Sequence, residues 1–122
     1  MYKRPRLENF LYKQSLYDAV CEGNGFDVSR LLEANPKALN AVIYEKKQAA
    51  ALHCAIEKSP TQTRTQIVQQ LLLRKNIDVN MRNVNGSTPL YYASFFGRVN
   101  ATKLLLEHKA RIDMNRKVSH TV

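Results

Sequence analysis

Residues 83–115 read NVNGSTPLYYASFFGRVNATKLLLEHKARIDMN, the pattern of a turn, two short helices and an extended exit. Asn85-Gly86 is a turn dipeptide, because both residue types tolerate positive φ. Thr88 can cap a first helix that opens at Pro89, where a missing backbone donor does no harm. Gly97 ends this helix, and a second apolar pattern of helical spacing follows it. Neither helix is long enough to be stable alone in water, so each needs a neighbour to cover it.

The same spacing recurs earlier in the chain. Leu90 and Gly97 are seven residues apart, and so are Leu16 and Gly23. The pattern Leu-x-x-Ala occurs three times, at Leu16/Ala19, Leu52/Ala55 and Leu90/Ala93. A recurring spacing predicts stacked units. The units are residues 15–44, 45–82 and 83–115, within one domain that spans residues 1–122 and has an N-terminal extension (1–14) and a tail (116–122).

The middle unit contains extra residues. Leu52 and Leu90 are 38 residues apart, whereas repeats of this kind typically have a period of about 33 residues. Residues 59–64 read SPTQTR and are polar with one proline, so they predict a longer turn between the two helices of this unit. A further single residue can be inserted at Lys75-Asn76, and the sequence does not decide how the middle and last units align at this point.

The motif Thr88-Pro89-Leu90-Tyr91-Tyr92-Ala93, followed by Gly97, Leu104-Leu105-Leu106 and Ala110, resembles the signature of ankyrin repeats. The resemblance implies an all-α ankyrin-repeat solenoid of three stacked helix-turn-helix units with projecting loops. Residues 15–44 are then a degenerate capping repeat. It also implies a protein–protein interaction module that binds through its loop tips and concave helix face, without catalysis of its own.

In that family the Thr and His of the signature form a hydrogen bond that ties the turn to the helix. This chain divides the two residues between units: Thr88 is followed by Tyr91, whereas His53 is preceded by Ala50. Because a helix-capping bond contributes about 1 kcal/mol, the resemblance implies a stability below that of an array with both residues in each unit.

Composition indicates a soluble globular domain with a basic surface. The 122 residues are 44% hydrophobic and 24% charged, with 19 Lys plus Arg against 10 Asp plus Glu and a net charge of +9. Such a charge favours an acidic partner protein, and nucleic acid remains a second option. No run is long enough to span a membrane and no secretory leader is recognisable. With only Cys21 and Cys54, a reducing, intracellular location is expected, in cytoplasm or nucleus or as a bacterial effector inside a host cell.

Motifs that carry chemistry are missing from the sequence. It has no Gly-rich phosphate loop, no paired-carboxylate motif and no His-Cys metal spacing. His53 and Cys54 are adjacent and cannot face the same way on a helix, so His53 is interpreted as a structural repeat residue. The sequence therefore predicts no enzyme, no cofactor, no metal and no catalytic residue.

The aromatic pair Phe95-Phe96 is not required for packing one unit on the next. By resemblance these residues lie at the concave end of a first helix, where aromatic side chains can anchor a partner, and one of them can instead pack inward. The matching positions of the middle unit are Glu57 and Lys58. The predicted partner-binding residues on the loop tips are Lys46, Lys47, Arg82, Val84, Asn85 and Ser87.

Two other functions remain open. The basic residues Lys3, Arg4 and Arg6 match a short nuclear-import or nucleic-acid pattern, which would make the chain a nuclear or nucleic-acid-associated adaptor. Alternatively, it is the N-terminal recognition portion of a larger multidomain protein or effector.

The sequence also leaves open what covers the outer face of the last unit. With Val99, Leu104 and Leu105 on it, this face is expected to be covered by Val118 and Val122 of the tail, by further chain, or by a second copy in weak self-association. In the first two cases the protein is a monomer.

Overall fold

The computed structural model describes residues 15–44, 46 and 48–111. Their backbone is mostly helical, with one short two-stranded ribbon. The elements in chain order are α1 (described over 15–22), α2 (Gly25–Ala34), a 3₁₀ helix (Pro36–Asn40), β1 (Val42–Tyr44), β2 (Ala49–Ala50), α3 (Ala51–Lys58), α4 (Thr61–Leu72), α5 (Pro89–Phe95) and α6 (Val99–Glu107).

The helices form three pairs, α1/α2, α3/α4 and α5/α6, that stack in chain order. The first helix α3 packs on α5, while the second helix α4 packs on both α2 and α6. First helices therefore form one layer and second helices the other. This arrangement confirms the predicted fold of stacked helix-turn-helix units.

Short local signals set the helix ends. The Asn24 side chain accepts a hydrogen bond from the backbone N–H of Asp27 at the start of α2, over 3.1 Å. Thr88 does the same for Tyr91 at the start of α5, over 3.2 Å, directly before the proline that opens this helix. These side chains satisfy backbone donors that the first turn of a helix leaves without partners.

The insertion in the middle unit does not lengthen the turn, so that prediction is wrong. Only Ser59 and Pro60 separate α3 from α4, and the extra residues lengthen α4 itself, which has 12 residues against 9 in α6. Val68 and Leu72 are buried like Ala101 and Leu105, which lie 33 residues further on. The second helices thus keep the usual period, and the additional residues extend the N-terminus of α4 by about one turn, where Pro60 fixes the entry angle.

The repeated leucines and alanines lie in the core. All six are buried: Leu16, Ala19, Leu52, Ala55, Leu90 and Ala93. Leu105 is also fully buried, so the prediction that it belongs to the exposed end face is wrong. It turns inward because its helical position matches that of Leu72. The small alanine side chains allow the first helices of neighbouring units to approach closely.

Each unit also satisfies the end of the first helix in the unit before it. The Ser59 hydroxyl donates a 2.7 Å hydrogen bond to the carbonyl of Val20 near the end of α1. At the equivalent carbonyl of α3, that of Ile56, Arg98 Nε donates over 3.0 Å. The last carbonyls of a helix have no partner within it, so these contacts from the next unit lock the stack in register.

The loop between the first two units is a small antiparallel ribbon, in which Val42 pairs with Ala50 and Tyr44 with Ala49. The loop before α5 is irregular and is organised by Asn83. The Asn83 side-chain oxygen accepts from the N–H groups of Asn85 and Ser87, at 3.0 and 2.9 Å. These are the projecting loops that the sequence predicts.

Candidate protein-binding surface

An aromatic cluster runs along α5. The Phe95 and Phe96 rings meet edge to face, with centroids 5.1 Å apart. Phe95 also stacks on Tyr91, and Phe96 packs edge-on against Tyr92 at 5.7 Å. Such contacts between rings each contribute about 0.5–1.5 kcal/mol beyond simple burial. The cluster therefore holds its outermost ring in a fixed place.

Phe95 is that outermost ring. Its side chain is 69% exposed, whereas Phe96 is half-buried against the core. The guanidinium of Arg98 lies over the Phe96 ring at 5.4 Å, which fixes this ring from its other side. The structure thus divides the predicted pair: Phe95 is open to a partner, and Phe96 supports it.

A second aromatic group joins the first two units. The rings of Tyr17 on α1 and Tyr44 on β1 stack with centroids 5.1 Å apart, and Lys58 Nζ lies 5.4 Å from the Tyr44 ring. Burial and a hydrogen bond with Cys21 raise the pKa of the Tyr17 hydroxyl, so it remains neutral at physiological pH. We use the term first-helix face for the surface that carries the two aromatic groups, which consists of Tyr17, Cys21, Tyr44, Glu57, Lys58, Phe95 and Phe96.

The sequence did not identify Tyr17 or Tyr44 as part of this face. Tyr17 and Cys21 are four residues apart and share one side of α1, which is a usable signal in retrospect. Tyr44 has no such signal, because its place depends on the pairing of β1 with β2. Aligning the units places Tyr44 opposite Arg82, which gives no hint of an aromatic group.

Most of the other predicted contact residues are accessible. Lys46, Lys58, Arg82, Val84 and Asn85 are exposed, and Glu57 is half-buried. Lys47 lies outside the described residues, and so do Lys3, Arg4 and Arg6 of the nuclear-import pattern.

The structure contradicts the prediction that Ser87 is a partner-binding residue. Its side chain is only 3% exposed, its N–H donates to Asn83, and its carbonyl accepts a hydrogen bond from His53. It is buried because it closes the loop against α3. Ser87 therefore holds the loop in place and cannot contact a partner.

His53 connects the middle unit to the last one. Its Nδ1 accepts from the backbone N–H of Ala50 over 3.3 Å, so Nε2 carries the proton and donates to the Ser87 carbonyl over 2.8 Å. Burial lowers the pKa of the imidazole, which keeps it neutral. With both nitrogens occupied by backbone groups, His53 is a structural residue, as the sequence indicates.

No group of three or more His, Cys, Asp or Glu side chains in the described ranges could hold a metal ion. No helix in the same ranges is both long and apolar enough to cross a bilayer. Cys21 and Cys54 form no disulfide bond within the described residues, and burial raises the pKa of Cys21.

The sequence matches a family model described as ankyrin repeats (3 copies) over residues 16–117. It is 30% identical over 87 residues to protein phosphatase 1 regulatory subunit 12A of Mus musculus, an alignment that covers 71% of this chain and 8% of that protein. It is 30% identical over 97 residues to delta-latroinsectotoxin-Lt1a of Latrodectus tredecimguttatus, covering 80% of this chain and 6% of the toxin.

A third relative is viral. The putative ankyrin repeat protein FPV244 of fowlpox virus is 29% identical over 75 residues, covering 62% of this chain and 11% of that protein. The chain therefore spans only a small part of the length of each of these relatives.

Proposed function

Because the chain belongs to the ankyrin repeat family, we propose that it binds a partner protein through the first-helix face, with Phe95 as the main anchor and no catalysis of its own. Ankyrin repeats are protein-interaction modules, and one relative is by name a regulatory subunit of a phosphatase. The exposed ring of Phe95 on an ordered aromatic cluster is the observation that carries the proposal.

Physical reasoning favours Phe95 as an anchor. Aromatic side chains dominate the energetics of protein interfaces when they enter a pocket on the partner. The contacts of Phe95 with Tyr91 and Phe96 already restrict its ring. A side chain ordered before binding loses less conformational entropy on association, so more of its burial contributes to affinity.

Charge supports an acidic partner. Lys58 lies on the first-helix face, and Lys46 and Arg82 are exposed on the loops. In a chain with a net charge of +9, these groups attract acidic surfaces and accelerate association. Affinity should therefore fall as ionic strength rises, because salt screens charges separated by more than about 10 Å at 0.1 M.

The test compares two phenylalanines. Phe26 on α2 is 77% exposed, in the layer of second helices, so Phe26→Ala is a matched control for Phe95→Ala. Each variant and the wild type are used to capture proteins from a lysate of the source cells, with quantitative mass spectrometry as the readout. A specific partner should be lost with Phe95→Ala and kept with Phe26→Ala. Equal capture by all three proteins would contradict the proposal.

A further inference from the structure

A cleft of about 220 Å³ lies between the second helices of the last two units. Thr61, Arg64 and Thr65 of α4 line one wall, and Arg98 and Asn100 at the start of α6 are among the residues on the other. None of these residues belongs to the first-helix face. The cleft is thus a separate feature of the surface.

The cleft exists because of the insertion in the middle unit. Thr61, Arg64 and Thr65 belong to the part of α4 that extends beyond the length of α6. A middle unit of ordinary length would lack this wall. The added residues lie outside the matched part of the helix, because the buried residues Val68 and Leu72 already correspond to Ala101 and Leu105.

Two arginines face this cleft without a carboxylate among its lining residues. Arg64 Nε is buried and has no hydrogen-bond partner in the part of the chain that the structure describes. A buried donor without a partner is unfavourable, and more so when it is charged. Burial and the nearby charge of Arg98 also lower the pKa of Arg64, as expected for a like-charged pair without a counter-ion.

Arg98 is held in place by the stack. Its Nε and NH2 groups donate to the carbonyls of Ile56 and Glu57 at 3.0 and 3.3 Å, and NH1 donates to Phe96 at 3.4 Å. These bonds use three of the five N–H donors of a guanidinium. The positive charge is therefore fixed beside the cleft, with donors to spare. The two threonine hydroxyls and the Asn100 amide add neutral donors along the same walls.

We propose that this cleft binds a single oxyanion group, a carboxylate or a phosphate, between Arg64 and Arg98. Guanidinium groups match both anions through paired N–H donors. The starts of α4 and α6 also favour negative charge, because the first backbone N–H groups of each helix lack partners within it. The source we assign is an acidic or phosphorylated side chain of the bound protein, and only this assignment rests on the proposed function.

The test uses small anions on the intact chain. Inorganic phosphate and acetate are each titrated against chloride at constant ionic strength, while nitrogen–proton NMR follows the side-chain Nε–H signals of Arg64 and Arg98. We expect saturable shifts of both signals with at least one of the two anions. Stronger binding of phosphate would indicate a phosphorylated side chain, and stronger binding of acetate an acidic one.

Arg64→Gln is the decisive variant, because Arg64 makes no hydrogen bond within the described residues that its loss would break. Arg30→Gln on α2, which changes an exposed arginine paired with Asp27, is the matched control. Arg64→Gln should weaken anion binding about tenfold or more, and Arg30→Gln should leave it unchanged. Linear, non-saturating shifts, or equal binding by both variants, would overturn the proposal. Neither result depends on Phe95, so the binding function is tested separately.

Discussion

The middle helix pair (α3/α4) and the last pair (α5/α6) share the same pattern of buried leucines and alanines. They differ on the side that faces away from the first pair (α1/α2). Ile56 of the middle pair is fully buried, and α5 packs on its helix α3. Ser94, 38 residues later, occupies the equivalent position of the last pair and is exposed. Leu104, equivalent to the buried Leu71, is only half-buried.

This difference distinguishes the residues that hold one helix pair together from the residues that allow a further unit to pack on it. The inward-facing leucines and alanines are alike in both pairs, so they close each pair. The outward-facing residues decide whether a further surface packs on it. The polar Ser94 at one of these positions suits contact with water, which argues against strong self-association through this face.

The largest effect should come from exchanging these residues. Ile56→Ser places a polar group in the packed interface and removes buried apolar volume, so we expect a loss of about 3 kcal/mol or more in the free energy of unfolding. Ser94→Ile should change it by less than about 1 kcal/mol. Urea unfolding measures both. Similar losses from the two exchanges would break the comparison.

The same exchange probes self-association. Ser94→Ile enlarges the apolar area of the end face, so the apparent mass in analytical ultracentrifugation should rise with concentration more than it does for the wild type. A wild-type protein that already dimerises strongly would show that this face is not a solvated one.

Two glycines allow the first and last helix pairs to be compared at the turns between their helices. Gly23 and Gly97 both have positive φ, at 73° and 69°, where any other residue is strained. A Cβ on Gly23 would collide with Thr63 and Pro60 of the next unit, whereas one on Gly97 would meet nothing within 4 Å. Gly97→Ala should therefore cost about 1–2 kcal/mol for the backbone alone, and Gly23→Ala at least about 1 kcal/mol more. Thermal unfolding compares them, and equal costs would contradict the packing of this turn.

The histidine of the middle unit gives a pH test. Burial lowers the pKa of His53 in the folded protein, below the value of about 6.5 in the unfolded chain. The unfolded state therefore takes up the proton first, and this group reduces stability as pH falls through 6.5. The dependence of unfolding free energy on pH between 7.5 and 5 should flatten in His53→Gln. A slope that is unchanged in His53→Gln would contradict this role of the buried imidazole.

The smallest effect concerns the divided Thr–His pair. Ala50→Thr should add about 0.5–1 kcal/mol, because Thr88 shows that a threonine there can accept from the backbone of the first turn. Ala50 is buried, so the added atoms must fit within the packed surroundings of this position. Tyr91→His should add less, since no following unit among the described residues offers the acceptor that Ser87 provides to His53. Thermal unfolding of the single and double variants checks this, and a larger gain from Tyr91→His than from Ala50→Thr would contradict it.

Local patterns predicted the fold because each unit carries its own signals. Thr88 and Pro89 open a helix, Gly97 ends one, and the Leu-x-x-Ala spacing identifies the core without knowledge of any neighbour. The prediction of a long turn at residues 59–64 was wrong because polar residues after a proline are equally suited to the exposed first turns of a helix. Only the match of Val68 and Leu72 to the next unit decides between the two.

The candidate surface was less predictable, since it depends on contacts between units. Phe95 was found from its departure from the repeat pattern, but its support by Phe96 and Tyr91 is a matter of ring geometry. Ser87 was misplaced because the sequence does not show that its carbonyl pairs with His53, 34 residues away. The Arg64–Arg98 cleft likewise needs two units side by side.

The central claim is that the face carrying Phe95 is where this chain meets another protein, and photocrosslinking tests it most directly. A photoreactive benzoylphenylalanine is placed at position 95 and, in a second protein, at position 26, and each is irradiated with the partner captured by the wild type. The account predicts an adduct from position 95 that maps to one segment of the partner, and none from position 26. Adducts from position 26 alone, or from both positions equally, would contradict it.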